Sequence, residues 1–167
     1  MLLADLLNYG AAAQKYTNYK TGELVNADLP VSGSTVAPTD KDNVREVTVS
    51  SDTSLKLTAA GVRFDYVNSI YVKLTAASLD GVTVTIGGIE AEIVSLGGNK
   101  YVAYSLGITP SAFGTAFTVN LAKDGVVLQT VTYSVNSYAY VMMNDADMGE
   151  LALTLYRLGV STKAYNS

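Results

Sequence analysis

Glu90 and Glu92 are the side chains best spaced for acid and base chemistry. Two residues apart on one predicted strand, they share a face at roughly 7 Å, within the range that inverting glycosidases use. Ile89, Ala91 and Ile93 take the other face, so the two carboxylates are expected to look at solvent. Asn144, Asp145, Asp147 and Glu150 offer oxygens of the kind that hold calcium. They lack the register of a helix-loop-helix calcium loop. Asp147 with Glu150 three residues on reads instead as a capping box, with acids suited to a helix N-terminus. Asp40 and Asp42 carry the same two readings, and no metal site is expected.

Tyrosine is the other conspicuous chemistry: twelve of them, and no tryptophan. Tyr101 and Tyr104 stand three apart on a predicted strand and so on opposite faces, while Tyr133, Tyr138 and Tyr140 crowd the last strand and its exit. These five are the candidate ligand contacts, because aromatic rings stack on sugars. The competing reading is that tyrosine forms strands well and has a polar tip suited to a sheet edge. Lys56 and Lys73 alternate with apolar neighbours and should point outward, which argues against a lysine–asparagine crosslink within the sheet.

The rest of the composition excludes more than it offers. The 167 residues include no histidine and no cysteine. That removes a structural zinc site, an imidazole base, a Ser-His or Cys-His nucleophile and ordinary haem or iron–sulfur ligation. No phosphate-binding glycine loop, Gly-x-Ser-x-Gly elbow or Ser-x-x-Lys pair occurs, so no cofactor and no catalytic residue are expected. A net charge of −4 makes nucleic acid a poor partner.

Four segments would have to position these residues. Leu2, Leu6, Tyr9, Ala13 and Tyr16 follow a 4-3-4-3 spacing with no β-branched residue before Thr17, which predicts an N-terminal helix over 1–18. Residues 19–44 hold Pro30, Pro38, Gly22 and Gly33 and read as a linker or crossing loop. From 45 to 140 the apolar period becomes two, as in Val62/Phe64/Tyr66, Ile70/Val72/Leu74 and Phe117/Val119/Leu121. Asp80-Gly81, Gly87-Gly88, Gly97-Gly98-Asn99 and Lys123-Asp124-Gly125 punctuate these runs as tight hairpin turns. Eight or nine short antiparallel strands of this kind suit an immunoglobulin-like β-sandwich without its disulfide or core tryptophan. A C-terminal helix over 141–167 completes a mainly β chain with one helix at each end.

The two helices match each other. At a constant offset of 149, Leu2 falls on Leu151, Leu6 on Leu155, Tyr9 on Leu158, Gly10 on Gly159, Ala13 on Thr162 and Tyr16 on Tyr165. Two amphipathic helices would share a period in any case. A shared interior glycine, costing about 1 kcal/mol relative to alanine, further suggests close backbone approach. These residues are expected to form the helix-packing seams.

LLADLLNYGAAAQKYTNYKTGELVNADL resembles a segment of large surface and secreted proteins of gut Firmicutes, in which Leu/Tyr/Gly/Ala-rich helices alternate with β-sandwich segments. FGTAFTVNLAKDGVVLQTVTYSVNSYAYVM followed by ELALTLYRLGVSTKAYN is similar to the end of the same unit, although Val160-Ser161-Thr162 stands where alanines recur. The resemblance implies a repeated, exported, non-catalytic module of no established activity, whose partners are neighbouring units of the same polypeptide.

Asp5 interrupts the apolar start, so it does not read as a secretory signal, and no run reaches the ~18–20 residues that span a bilayer. The chain is then either cytosolic or a piece excised from a larger exported protein; its Val-, Thr-, Ser-, Gly-, Asn- and Tyr-rich composition and the resemblance favour the second, located outside the cell or on its surface, without membrane insertion. The alternative is an adhesin module that binds a glycan or a host surface protein through tyrosine-bearing strand faces. A carboxylate-only enzyme, resting on Glu90 and Glu92, is the remaining class.

Overall fold

The structure is a computed structural model and describes residues 1–21 and 32–167. It is mainly β, with two antiparallel sheets and helices at both ends of the chain. The helices are α1 (Leu2–Thr21), α2 (Val135–Met142) and α3 (Gly149–Tyr165). The strands are β1 (Glu46–Val47), β2 (Lys56–Arg63), β3 (Ser69–Thr75), β4 (Val82–Ile86), β5 (Ile89–Glu90), β6 (Ile93–Gly97), β7 (Lys100–Tyr104), β8 (Phe117–Lys123) and β9 (Val126–Tyr133). Of the expected 19–44 linker, residues 22–31 lie outside the described residues, α1 continues to Thr21, and Asp40–Asp42 form a 3-10 turn. The chain divides into a helical unit (Met1–Asn43, Pro110–Gly114, Asn136–Ser167) and a sheet unit (Val44–Thr109, Thr115–Val135).

In the sheet unit, one sheet runs β1-β9-β8-β4-β5 and the other β2-β3-β7-β6. Alternation does what the sequence requires. Ile70, Val72 and Leu74 of one sheet and Val84, Ile86, Val119, Leu121 and Val131 of the other are all buried, while Lys73 between them is exposed. Three two-residue hairpins, at Gly87-Gly88, Gly98-Asn99 and Asp124-Gly125, have positive φ at both positions. That geometry twists with the flanking strands and favours Gly, Asn and Asp. Asp80-Gly81 is different: its turn lies on the passage from β3 in one sheet to β4 in the other, and is not a hairpin.

Two elements depart from the periodicity. Val62, Phe64 and Tyr66 do not form a run of their own; β2 ends at Arg63 and Tyr66 is fully exposed. Strand patterning also stops at Tyr133 instead of Tyr140, because residues 135–142 fold as α2. The alternation of Tyr138 and Tyr140 imitates a strand. Val135 and Ala139, four apart and both buried, set the helical face that wins.

A side chain fastens the two sheets at one margin. Gln129 on β9 is buried; its Oε1 accepts from the Leu57 N–H of β2 at 2.7 Å, and its Nε2 donates to the Thr48 carbonyl at 2.8 Å. Beside this clip, β2 has a bulge between Leu57 and Ala59.

Tyr133, paired with Phe117 at the end of β9, is 4% exposed. Burial raises its phenol from the ordinary 10.0 to about 12, with the Arg45 charge opposing the shift and Tyr71 adding to it. The folded state therefore holds this proton more tightly than the unfolded chain does. Its stabilisation is complete below pH 10 and is lost as pH rises towards 12, at about 1.4 kcal/mol per pH unit. Urea unfolding at pH 9 and pH 11.5 should show a loss about 2 kcal/mol smaller in Tyr133→Phe than in the parent.

Candidate interaction surfaces

In the helical unit, α1 and α3 pack antiparallel. Asp5 near the start of α1 meets Ser161 near the end of α3, and Lys15 near the other end of α1 meets Glu150. Asp5 is 1% exposed. The Ser161 hydroxyl donates to its Oδ2, and the Ser34 N–H donates to its Oδ1 at 2.7 Å. Both side-chain oxygens are thereby satisfied, as a buried polar group requires. The Lys15–Glu150 ion pair, at 3.1 Å and partly exposed, adds at most about 1 kcal/mol. Thr154 and Ser161 of α3 are buried, as is Ala12 of α1.

The helix-packing residues divide accordingly. On α3, Leu151, Leu155, Leu158 and Gly159 are buried, and Tyr165 is exposed. A Cβ built on Gly159 would lie 3.0 Å from the Phe113 ring and 3.3 Å from the Pro110 carbonyl, so this glycine does serve close approach. On α1 the expected stripe is not the buried one. Leu2, Tyr9, Gly10, Ala13 and Tyr16 are half-exposed, and Leu3, Leu6 and Leu7 are 69%, 49% and 48% exposed. Among the described residues nothing lies within 4 Å of a Cβ built on Gly10. The physical reason is Asp5: once its carboxylate is hydrogen-bonded beneath α3, the small Ala12 follows it inward and the leucines turn away. Periodicity ranks faces by apolarity and so missed Asp5, Ser161 and Ser34.

The acidic candidates are tied into this unit. Asp40 accepts from the Tyr140 hydroxyl. Asp42 accepts from Tyr156 at 3.2 Å and from the Thr39 N–H at 2.8 Å. The hydrogen bond and charge of Asp40 raise the Tyr140 phenol, and burial, then the Asp42 charge and hydrogen bond, raise that of Tyr156. The α3 cap is not Asp147. Asp145 Oδ1 accepts the N–H groups of Asp147 and Met148 at 3.0 and 2.9 Å, and Glu150 turns to Lys15.

The five candidate tyrosines divide between the units, Tyr101, Tyr104 and Tyr133 in the sheet unit and Tyr138 and Tyr140 in the helical unit. Tyr101 pairs with Leu74 and Tyr104 with Tyr71, on opposite faces of β7; Tyr133 is buried, and Tyr138 and Tyr140 sit on α2. Tyr104 has other company. Its ring meets Tyr71 edge-on at 6.5 Å, the Arg63 guanidinium lies 4.2 Å above it, and the Lys73 ammonium lies 5.8 Å from the Tyr71 ring. Tyr71 lies over Gly61, where a Cβ would come within 2.6 Å of its hydroxyl. The register places Gly61, Arg63, Tyr71, Lys73 and Tyr104 on one sheet face. Only cross-strand pairing reveals this group.

Glu90 and Glu92 are both exposed and do not share a strand: the chain leaves β5 after Glu90 and joins the other sheet at Ile93. They line a cleft of about 280 Å³ together with Arg63, Tyr104, Ser105 and Leu106. Lys56 and Lys73 are exposed, as expected. Among the described residues, no helix is long and apolar enough to cross a membrane. Comparison of the chain with protein-family profiles, curated proteins and solved structures finds no match.

Asp5→Ala strands two donors and should lower stability by about 2–3 kcal/mol, read as a shift in urea midpoint at constant slope. Asp5→Asn, which keeps an acceptor, should lose less, and Leu7→Ala should stay within about 1 kcal/mol of the parent.

Proposed function

We propose that the chain is a non-catalytic structural and interaction module of a bacterial exported or cell-surface protein. On this reading it is an immunoglobulin-like sandwich with a helix at each end, repeated along a larger polypeptide like the gut Firmicutes modules it resembles. The leucine face of α1 carries the reading. A stable helix pair that leaves Leu3, Leu6 and Leu7 substantially exposed has apolar surface to spare, and contiguous patches of that kind mark interaction sites. The chemistry inside the helical unit points the same way: its buried carboxylate is fully occupied by structural donors. Neighbouring units are the partners and no cofactor is involved.

The second reading, a glycan- or host-protein-binding adhesin module, draws on the Tyr71–Tyr104 face with its two flanking cations. On this reading the binding tyrosines are Tyr104 and Tyr71. Rigid aromatic area beside arginine is the composition of interface anchors.

Fractionation of the producing cells with an antibody to this chain should find it in the envelope or the medium; recovery from the cytosol alone overturns the exported reading. Glycan and host-protein arrays separate the two readings: specific binding lost more than tenfold in Tyr104→Ala would favour the adhesin, and no binding favours the spacer.

A further inference from the structure

We infer that the outer face of the four-stranded sheet binds an acidic polysaccharide, whose carboxylate or sulfate groups are taken by Lys56, Lys73, Lys100 and Arg63. This rests on the glycan-binding reading and narrows its ligand to a charged chain.

Charge is unevenly placed in this sequence. The chain carries fifteen acidic and eleven basic side chains, yet β2, β3, β6 and β7 contain no aspartate and no glutamate. Their charged residues are Lys56, Arg63, Lys73 and Lys100. Cross-strand partners share a face of a sheet. The register pairs Lys56 with Thr75, Thr75 with Lys100, Ala59 with Lys73 and Gly61 with Tyr71. All four cations therefore stand on the face of Tyr71 and Tyr104, opposite the buried Ile70, Val72 and Leu74. Lys56 reaches that face through the bulge between Leu57 and Ala59; unbroken alternation back from Arg63 would turn it the other way.

The charges are held outward and left unneutralised. Lys56, Lys73 and Lys100 are exposed, and among the described residues none of the four cations lies in an ion pair. Arg63 reaches across β3 to lie over the Tyr104 ring at 4.2 Å, and the Lys73 ammonium stands 5.8 Å from the Tyr71 ring. Strands lie ~5 Å apart and alternate residues ~7 Å apart, which spaces the three lysines at about 8–10 Å. That is about one Debye length at ~0.1 M salt, so their fields add. Glu90 and Glu92 share a cleft with Arg63, and Asp52 shares one with Lys56. Acids thus stand at the margins of the face, and none on its strands.

The form of the face selects the ligand. A broad sheet surface with cations at regular steps suits a linear, repeating polyanion better than a single small anion. A peptide would use a strand edge or a groove. Single-stranded nucleic acid would stack its bases on open aromatic rings, whereas Arg63 and Lys73 already engage these two rings. An acidic sugar chain needs neither. Its anionic groups meet the lysines and the arginine fork, and its C–H surfaces meet the half-exposed Tyr71 and Tyr104.

The test is biolayer interferometry with dextran sulfate, polygalacturonate, unmodified dextran and a single-stranded DNA oligonucleotide as probes. At least one of the two acidic polysaccharides should bind, more weakly as salt rises, and unmodified dextran should not. Lys73→Gln with Lys100→Gln should weaken that binding about tenfold or more, and adding Lys56→Gln should weaken it further. If the pair does not fold by circular dichroism, Lys73→Gln and Lys100→Gln are read singly, each several-fold weaker. Lys41→Gln with Lys163→Gln removes the same charge from exposed positions of the helical unit and should leave affinity within about twofold. Equal losses in the two pairs, no binding of either acidic polysaccharide, or tighter binding of the oligonucleotide overturns the proposal. Binding of a neutral glycan that the lysine changes leave untouched overturns it while the adhesin reading stands. No binding of any glycan removes both and leaves the spacer.

Discussion

A carboxyl group taken out of water is costly unless its oxygens find hydrogen-bond partners in the interior. Asp5 meets that condition with one donor from α3 and one from the backbone at Ser34. The two bonds fix the rotation of α1 about its own axis, because the helix can satisfy Asp5 in only one setting. Everything else about α1 follows from that rotation. Ala12, two turns on, comes to rest against the partner helix, Lys15 falls beside Glu150, and the leucines that would ordinarily seek the core face away. A polar contact of modest net energy thus decides where a large apolar surface goes. The leftover surface is the apolar face of Leu3, Leu6 and Leu7.

The legibility of the sequence varied with the range of the physics involved. Local rules were readable: the Gly, Asn and Asp turn residues took the positive φ expected of them, and the β period held across both sheets. The end of the strands is not legible, because Tyr138 and Tyr140 alternate as a strand does while Val135 and Ala139 repeat as a helix does, and eight residues are too few for either period to prevail. The α1 face was misjudged for a different reason. Hydropathy treats aspartate as a surface residue, and only the third dimension supplies Ser161 and Ser34. Glu90 and Glu92 looked paired because their alternation continues across a change of sheet that leaves no mark in the residue pattern. Tyr71 and Tyr104 are far apart in sequence and become neighbours through register alone.

Tyrosine does several unrelated jobs in a chain without tryptophan or histidine. Tyr140 and Tyr156 reach the paired aspartates of the Thr39–Asp42 turn and hold that turn to α2 and α3. Tyr133 fills the end of a sheet, and Tyr71 roofs a glycine in the neighbouring strand. In each place the ring supplies apolar area and the hydroxyl supplies either a hydrogen bond or reach. The abundance of one residue type therefore did not indicate one shared site.

The Gln129 clip bears on the strand edge beside it, because an open edge invites another chain to add its own strand. At the β2 margin the Leu57 N–H is already taken by a side chain from within the same unit, and the adjoining bulge spoils the ladder beside it. A foreign strand approaching there finds its first donor occupied and its register broken. The residue that fastens the two sheets together thereby also closes this edge to an added strand.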